Sequence, residues 1–282
     1  MKIALLPNLE KKNAARCVAE TIDRLHALGI QVWMRIANRQ YGFAADCWAP
    51  DDKELFSGCD AAIAVGGDGT IIREARCAAM AGKPILGVNT GRLGFVAELE
   101  PNELHLLSHL AEGNYTIENR LLLRAEFADE QGVQRIDALN DVVIARGALS
   151  RIIDFQVGLN QTAMARYRAD GLIFATPTGS TAYSLSAGGP VLDPVMRSFL
   201  LTPICPHALN SRPVVFSEEA RLTVQTFLTA DAKAYLSVDG DRAIPLCQGQ
   251  QVTISRSPHT ARLLKLKQHH FYQILNQKLG ST

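Results

Sequence analysis

The stretch "AAIAVGGDGTIIREARCAAMA" (Ala61–Ala81) decides how the first part of the chain is read. The apolar run Ala61 to Val65 has the length and composition of a buried strand. A helix is predicted from about Thr70 to Ala81, stopped by Gly82 and Pro84. Between them lies a glycine corner holding one carboxylate, Asp68. Glycines there let backbone N–H groups approach a ligand closely, and the start of a helix favours an anion. An acid in that place repels a phosphate unless it has a task beside it. It can orient an attacking hydroxyl and accept its proton, or help hold Mg²⁺. The structural alternative is an Asx turn with Asp68 as an ordinary N-cap. Neither common phosphate motif is present. G-x-G-x-x-G started at Gly67 would need its last glycine at Ile72, and a Walker A ending at Gly82-Lys83 would need glycine at Cys77.

Outward from the corner, the first third alternates. "KIALLP" reads as a strand, residues 13–28 as a helix with Ala15, Val18, Ile22 and Leu25 on its core face, and Gly29 closes it. "IQVWM" and "PILGV" read as strands, with a weakly patterned stretch before Ala61. A further helix is predicted over residues 101–111 from Leu104, Leu107 and Leu110. Strands alternating with helices argue for a parallel sheet covered on both faces.

The texture changes near residue 116. Short β-like runs then alternate with turn residues: "RLLLRAEFA" then "DEQG", "IIDFQVGL" then "NQ", "AYLSV" then "DGD". The expected fold is therefore an α/β N-terminal domain with a parallel sheet plus an all-β, sandwich-like C-terminal domain. The expected domains are 1–115, with the tail 257–282 packing back on it, and 116–256.

Residues 170–190, "DGLIFATPTGSTAYSLSAGGP", form a second unusual stretch. A strand runs into Thr176, Thr178, Ser180, Thr181, Tyr183, Ser184 and Ser186, with Gly179, Gly188 and Gly189 among them. A site that reads a base, ribose hydroxyls and phosphates needs such groups, because each buried polar edge of a ligand wants a partner. A solvated Ser/Thr turn is the structural alternative.

The totals exclude several classes. A net charge of +1 over 282 residues, with no basic run, argues against nucleic-acid binding by bulk electrostatics. The longest charge-free stretch, Gly171 to Leu192, is rich in Gly, Ser, Thr and Pro and is no membrane helix. The N-terminus lacks a signal-peptide core. A soluble cytoplasmic protein is expected, its six cysteines scattered, buried and reduced. His207 is expected to fix a loop. His269 and His270, adjacent on an expected helix, point apart and make a poor metal pair. Asp239-Gly240-Asp241 reads as a hairpin turn rather than a calcium loop.

"VGGDGT", "VNTGRLGFVAEL", "LNDVVIARG", "RADGLIFATPTGSTAYSLSAGGPVLDP" and "ICPHALNSRPVVF" occur in this order. Together they closely resemble the NAD kinase family over roughly residues 60–240. The resemblance implies phosphorylation of the adenosine ribose 2′-hydroxyl of NAD by ATP with Mg²⁺ or another divalent metal. No protein side chain is assigned as a dedicated metal ligand. It implies Asp68 as the catalytic aspartate, Gly69 in the same loop, Phe95 near the adenine side, and Asn140 with Asp141 as the ribose-reading pair. Asp170, Thr178, Thr181, Ala182, Tyr183, Ser184, Leu185 and Ser186 match the dinucleotide-binding segment. Arg73, Arg151 and Arg168 sit where substrate or phosphate contacts are often placed. A homodimer or homotetramer is implied, with no nucleic-acid or membrane partner. One departure stands out: the pair is more often Asn-Glu, so Asp141 has a shorter reach toward a hydroxyl that must come within about 2.7 Å.

Two other readings stand beside this one. A lipid or sugar kinase shares the glycine corner but would replace residues 170–190, and a lipid kinase would gain an apolar or basic surface. A dinucleotide-sensing module would bind without turnover, though it gains nothing from Asp68 beside phosphates.

Overall fold

The computed structural model describes residues 1–10, 13–91, 94–147, 152–160, 162–208, 210–228, 233–241, 243–267 and 271–280. The chain divides into two units, Met1–Arg120 with His259–Thr282, and Leu121–Pro258. The sequence reading places these boundaries at 115/116 and 256/257.

The first unit opens with β1 (Lys2–Pro7), α1 (Ala14–Ala27) and β2 (Gln31–Arg35). Helix α1 buries Cys17, Val18, Thr21, Ile22 and Leu25 on one stripe, and Gly29 ends it at φ +70°. The weakly patterned stretch after β2 folds as a 3₁₀ turn (Ile36–Tyr41), β3 (Cys47–Ala49) and α2 (Asp52–Gly58). Asp51 caps α2 by accepting a 2.8 Å bond from the Glu54 N–H. Next come β4 (Ala61–Gly66), α3 (Asp68–Met80) and β5 (Pro84–Asn89). The five strands pair in parallel in the order β5-β4-β1-β2-β3.

Every residue of β4 is buried, as a central parallel strand demands. Alternation along the strands separates the two faces. Ile3, Leu5, Ile63, Val65, Leu86 and Val88 share a core with α1. On the other face Ile71 of α3 lies against Gly87, where a Cβ would meet its methyls at 2.9 Å.

The helix expected over 101–111 is built from two kinds of turn. It starts as a 3₁₀ helix (Pro101–Leu107) and becomes α4 only at Ser108–Glu112. Leu104, Leu107 and Leu110 recur every three residues, which is the 3₁₀ period rather than the α period, and all three are buried. Likewise α3 begins at Asp68, two residues before the expected Thr70. Gly67 takes an extended conformation as N-cap, and its carbonyl accepts from the Thr70 and Ile71 N–H groups.

The second unit begins within β6 (Thr116–Asp129), which turns back into β7 (Gly132–Ala138). It continues through β8 (Asp141–Arg146), β9 (Ile153–Leu159), β10 (Thr162–Ala169), β11 (Gly171–Ala175) and the short helix α5 (Tyr183–Ser186). Then come β12 (Ser198–Ile204), β13 (Val214–Ser217), β14 (Leu222–Phe227), β15 (Ala234–Val238), β16 (Ile244–Leu246) and β17 (Gln251–Lys265). One antiparallel sheet runs β10-β9-β14-β17, with β6 and β7 joined to it at β17. The other runs β13-β12-β11-β8-β15-β16. Phe155, Val157, Leu222 and Val224 of the first meet Phe174, Phe199, Leu201 and Leu236 of the second in one core, a sandwich packing. Strand β11 is buried on both faces: Ile173 and Ala175 pack outward on Leu192 and Leu200.

Strand β17 ends in the first unit, where Arg262 and Leu263 pair in parallel with Pro84 and Ile85. Glu98 fastens the end of this strand: its carboxylate accepts from Leu266 N–H and Lys267 N–H, both at 2.9 Å, and from Lys265 Nζ at 2.6 Å. Helix α6 (Phe271–Leu279) comes after it. His269 and His270 lie outside the described residues. Among the described residues no helix is long and apolar enough to cross a membrane. All six cysteines are free, but only Cys17 and Cys59 are buried; Cys205 and Cys247 are exposed in strand-end turns. Burial pushes the Cys17 thiol up to about 11, so it is inert at neutral pH.

Candidate active site

In the first unit the chain winds from β1 to β2 on one side, and β4 lies on the other side of β1. The carboxyl ends of β1 and β4 therefore flank a reversal of winding, the place where open α/β sheets bind ligands. Asn8 comes directly after β1 there, and the glycine corner directly after β4. Asn8 binds both: its N–H donates to Val65 O at 2.8 Å, and its Nδ2 donates to Thr70 Oγ1 at 3.0 Å. A cleft of about 300 Å³ opens beside them, lined by Asn8, Glu10, Asn38, Tyr41 and Arg73.

Asp68 is not a cap. It occupies the first turn of α3 after Gly67, and no side chain caps that helix. Its carboxylate instead reaches across to another loop, where Oδ2 accepts from the Phe95 N–H at 2.8 Å. Gly94 makes room for it, since a Cβ on Gly94 would lie 1.8 Å from Asp68 Oδ1. Oδ1 itself is buried and has no hydrogen-bond partner among the described residues, and neither has Thr90 Oγ1. A buried polar atom left unmet is costly, and such atoms mark places built for something else. Asn89 fixes this second loop: its Oδ1 accepts from the Gly91 N–H at 2.9 Å, and its Nδ2 donates to Glu100 at 2.9 Å. Arg73 lies one turn into α3 with its side chain 53% exposed, held at 3.0 Å by the buried Glu74, which Arg35 binds as well.

The second unit has its own polar corner. Asn140 and Asp141 start β8, and the turn after β15 holds them. The Asp239 carboxylate accepts three backbone N–H groups, from Leu139 at 2.9 Å, Asn140 at 2.7 Å and Asp141 at 3.1 Å. Thr176 holds the same loop from β11, donating its hydroxyl to Leu139 O at 2.5 Å while accepting from the Gly179 N–H at 3.0 Å. Gly179 is a steric requirement, because a Cβ would lie 2.0 Å from Asn140 O. Asn140 Oδ1 is buried and unpartnered among the described residues. Burial, assisted by the nearby Asp239 carboxylate, pushes the Asp141 carboxyl up to about 7. Close to neutrality it can thus either donate or accept a hydrogen bond.

Most of the hydroxyl stretch is satisfied from within. Ser180 Oγ donates to Pro177 O at 2.7 Å and accepts from the Leu192 N–H at 3.0 Å. Thr181 Oγ1 donates to Thr178 O at 3.1 Å, and Ser184 shares a 2.8 Å bond with Thr202. Thr178 is buried and Ala182 and Leu185 are half-buried, whereas Tyr183 and Ser186 are exposed. Asp170 stands apart. Asp141 pairs with Ala175 at one end of β11, and Gly171 pairs with Ala145 at the other. The five residue steps from Asp141 to Arg146 along β8 separate the two acids by roughly 17 Å. Asp170 there holds Arg146 at 2.7 Å. Arg168 is 63% exposed on β10, 4.0 Å from Asp154. Arg151 lies outside the described residues.

Residues 3–115 match the model of the ATP-NAD kinase N-terminal domain, and residues 139–266 match that of the ATP-NAD kinase C-terminal domain. The chain belongs to the ATP-NAD kinase family. A family member from Symbiobacterium thermophilum, named NAD kinase, is 40% identical over 100% of this chain and 99% of its own. One from Desulforamulus reducens, also named NAD kinase, is 39% identical over 98% and 96%. Among solved structures, an NAD kinase from Archaeoglobus fulgidus in complex with ATP superposes with a TM-score of 0.77, at 26% identity over 100% of both chains. Yeast NADH kinase complexed with NADH shares the fold, with a TM-score of 0.88 at 22% identity over 100% of this chain and 88% of that one. Each of the two polar corners falls inside one of the matched family domains.

Sequence reasoning missed three parts of this arrangement. Asp239 was read only as a turn residue. Its positive φ of 51° before Gly240 is the trace of a side chain turned back onto backbone amides. Gly94 and Asn89 lie in the "VNTGRLGF" segment, but only the fold brings them to Asp68.

Proposed function

We propose that this chain acts as its family does, transferring the γ-phosphoryl group of ATP to the 2′-hydroxyl of the adenosine ribose of NAD, with Asp68 receiving the hydroxyl proton. The carrying observation is the asymmetry of the Asp68 carboxylate. The Phe95 amide occupies Oδ2, while Oδ1 is desolvated and unpaired among the described residues. An oxygen so prepared is suited to align a hydroxyl and take its proton late, when phosphoryl transfer is well advanced. Asn140 and Asp141 are suited to the ribose hydroxyls, and Tyr183, with an exposed ring, to a base. Gly69 offers a backbone N–H at the start of α3, and Arg73 a partly free guanidinium, toward phosphate oxygens.

Mg²⁺ binds by one or two carboxylates, substrate phosphates and waters rather than in an all-protein cage. With Asp68 Oδ1 assigned to the acceptor hydroxyl, the metal would be held chiefly by substrate phosphates and waters, and no group of three or more metal-ligating side chains occurs among the described residues. Bound with the nucleotide, the metal would neutralise phosphate charge. A homodimer or homotetramer and a cytoplasmic location belong to the same reading, supported by family membership.

The test is direct. The purified protein is incubated with NAD, ATP and Mg²⁺, and NADP is detected with an NADP-specific dehydrogenase. Wild type should form NADP, and Asp68→Asn should lose at least ~10²-fold in kcat with KM for NAD little changed. Near-normal turnover in the variant would remove Asp68 as base. No NADP from wild type, with inorganic polyphosphate also tried as donor, would overturn the reading and favour a dinucleotide-sensing module.

A further inference from the structure

Helix α6 carries none of the residues assigned to the reaction, yet two of its side chains meet Phe95, whose amide binds Asp68. The Phe271 ring lies 6.2 Å from that of Phe95, centroid to centroid, at 47°. Two turns later Lys278 places Nζ 4.3 Å from the centroid of the same ring. Residues 271, 274 and 278 share one helix face, and Ile274 between the two contacts is buried. Phe95 is thus flanked by a tilted aromatic contact and a cation–π contact. Its backbone N–H is the group that holds Asp68 Oδ2 at 2.8 Å, and its neighbour Gly94 is the wall beside Oδ1.

We propose that α6 is a positioning element for Asp68: Phe271 and Lys278 fix Phe95, so that its amide keeps one carboxylate oxygen occupied and the other free for the acceptor hydroxyl. The inference rests on the reading of Asp68 as proton acceptor. Phe271 and Lys278 act through Phe95 and are positioning residues. A bond that orients a reacting group acts on kcat more than on substrate affinity.

Four variants test it: Phe271→Ala, Lys278→Gln, Lys278→Arg and, on another face of the helix, the exposed Gln273→Ala. Three quantities are read: kcat, KM for NAD, and hydrogen exchange at the Phe95 amide. Phe271→Ala should lower kcat about 10-fold or more, as small misplacements at a reacting centre do. Lys278→Gln should lower it about 2- to 5-fold, the worth of an exposed cation–π contact. Lys278→Arg should restore it and Gln273→Ala should leave it unchanged, with KM for NAD changing less than kcat throughout. The Phe95 amide should exchange faster in Phe271→Ala and Lys278→Gln. Wild-type kcat and unchanged Phe95 exchange in these two variants would overturn the proposal. So would a fall in kcat that Lys278→Arg fails to restore. Lys278 is exposed, so its variants remain decisive even where Phe271→Ala does not fold. Absence of NADP formation by wild type would sink the proposed function instead, and exchange at Phe95 would still decide whether α6 holds that amide.

Discussion

The two polar corners divide their hydrogen bonds differently. In the second unit the hydroxyls bind within the chain, at Thr176, Ser180, Thr181 and Ser184, and Asn140 Oδ1 is the buried atom left unmet among the described residues of that corner. In the first unit the corner after β4 leaves polar groups unmet, with Asp68 Oδ1 and Thr90 Oγ1 both buried and unpartnered among the described residues. The Ser- and Thr-rich segment thus braces the loop of Asn140 and Asp141 through its own bonds, while the glycine segment leaves one acid oxygen open.

The contrast can be broken by substitution. The largest effect is expected at Gly94. Its Cβ would collide with Asp68 Oδ1, so Gly94→Ala should cost ~10²-fold or more in kcat by shifting the carboxylate. Steady-state kinetics that stay near wild type would show that the corner yields.

Asp141 comes next. Its carboxyl stays protonated in the fold up to about pH 7 but ionises near pH 4 in the unfolded chain. Between those values the fold binds the extra proton, so stability present below about pH 4 is lost as pH rises through about 7. Asp141→Asn should flatten this dependence, gaining on the order of 2–3 kcal/mol relative to wild type between pH 5 and pH 8. Urea denaturation at the two pH values checks it, and parallel curves would show that Asp141 is ionised throughout.

A smaller effect, about 1–3 kcal/mol of stability, is expected for Thr176→Val, which strips a partner from Leu139 O and from the Gly179 N–H. Turnover of the folded variant should stay within a few-fold of wild type if the hydroxyls brace the loop. A collapse of turnover at unchanged stability would move Thr176 from brace to site. The smallest effect belongs to Arg168→Ala. Its exposed, loosely paired side chain should change stability by no more than about 0.5 kcal/mol. KM for NAD should rise about 2- to 5-fold if the guanidinium meets a phosphate. An unchanged KM would remove it from the site.

The α/β then all-β order was legible because its two periods are written locally. The fully apolar β4 and the stripe of α1 announce a parallel sheet, and the turn residues at Gly132, Asn160 and Asp239 punctuate hairpins. The corner at Asp68 was legible for the same reason, since strand, glycines and helix are contiguous. The hidden part is long-range. The bond from Phe95 to Asp68 spans 27 residues, and that from Asn140 to Asp239 spans 99. No local pattern reports which turn an aspartate will fold back upon. Leu104, Leu107 and Leu110 show another limit: their spacing predicts a helix without separating a 3₁₀ turn from an α turn, and the segment contains both.

The path of the chain bears on how the molecule is made. The first unit is completed by the end of β17 and by α6, after the whole of the second unit. Synthesis runs from the N-terminus, at roughly 5–20 residues per second. The sheet edge at β5 and the carboxylate of Glu98 therefore wait for distant partners, with Leu266 lying 168 positions after Glu98. Asp68 emerges early, and the helix that grips Phe95 emerges only after both corners. A ribosome that stops short of Phe271 releases a chain with every residue named in the two corners and without the clamp. The contacts of α6 with Phe95 can thus form only after the second unit has been synthesised.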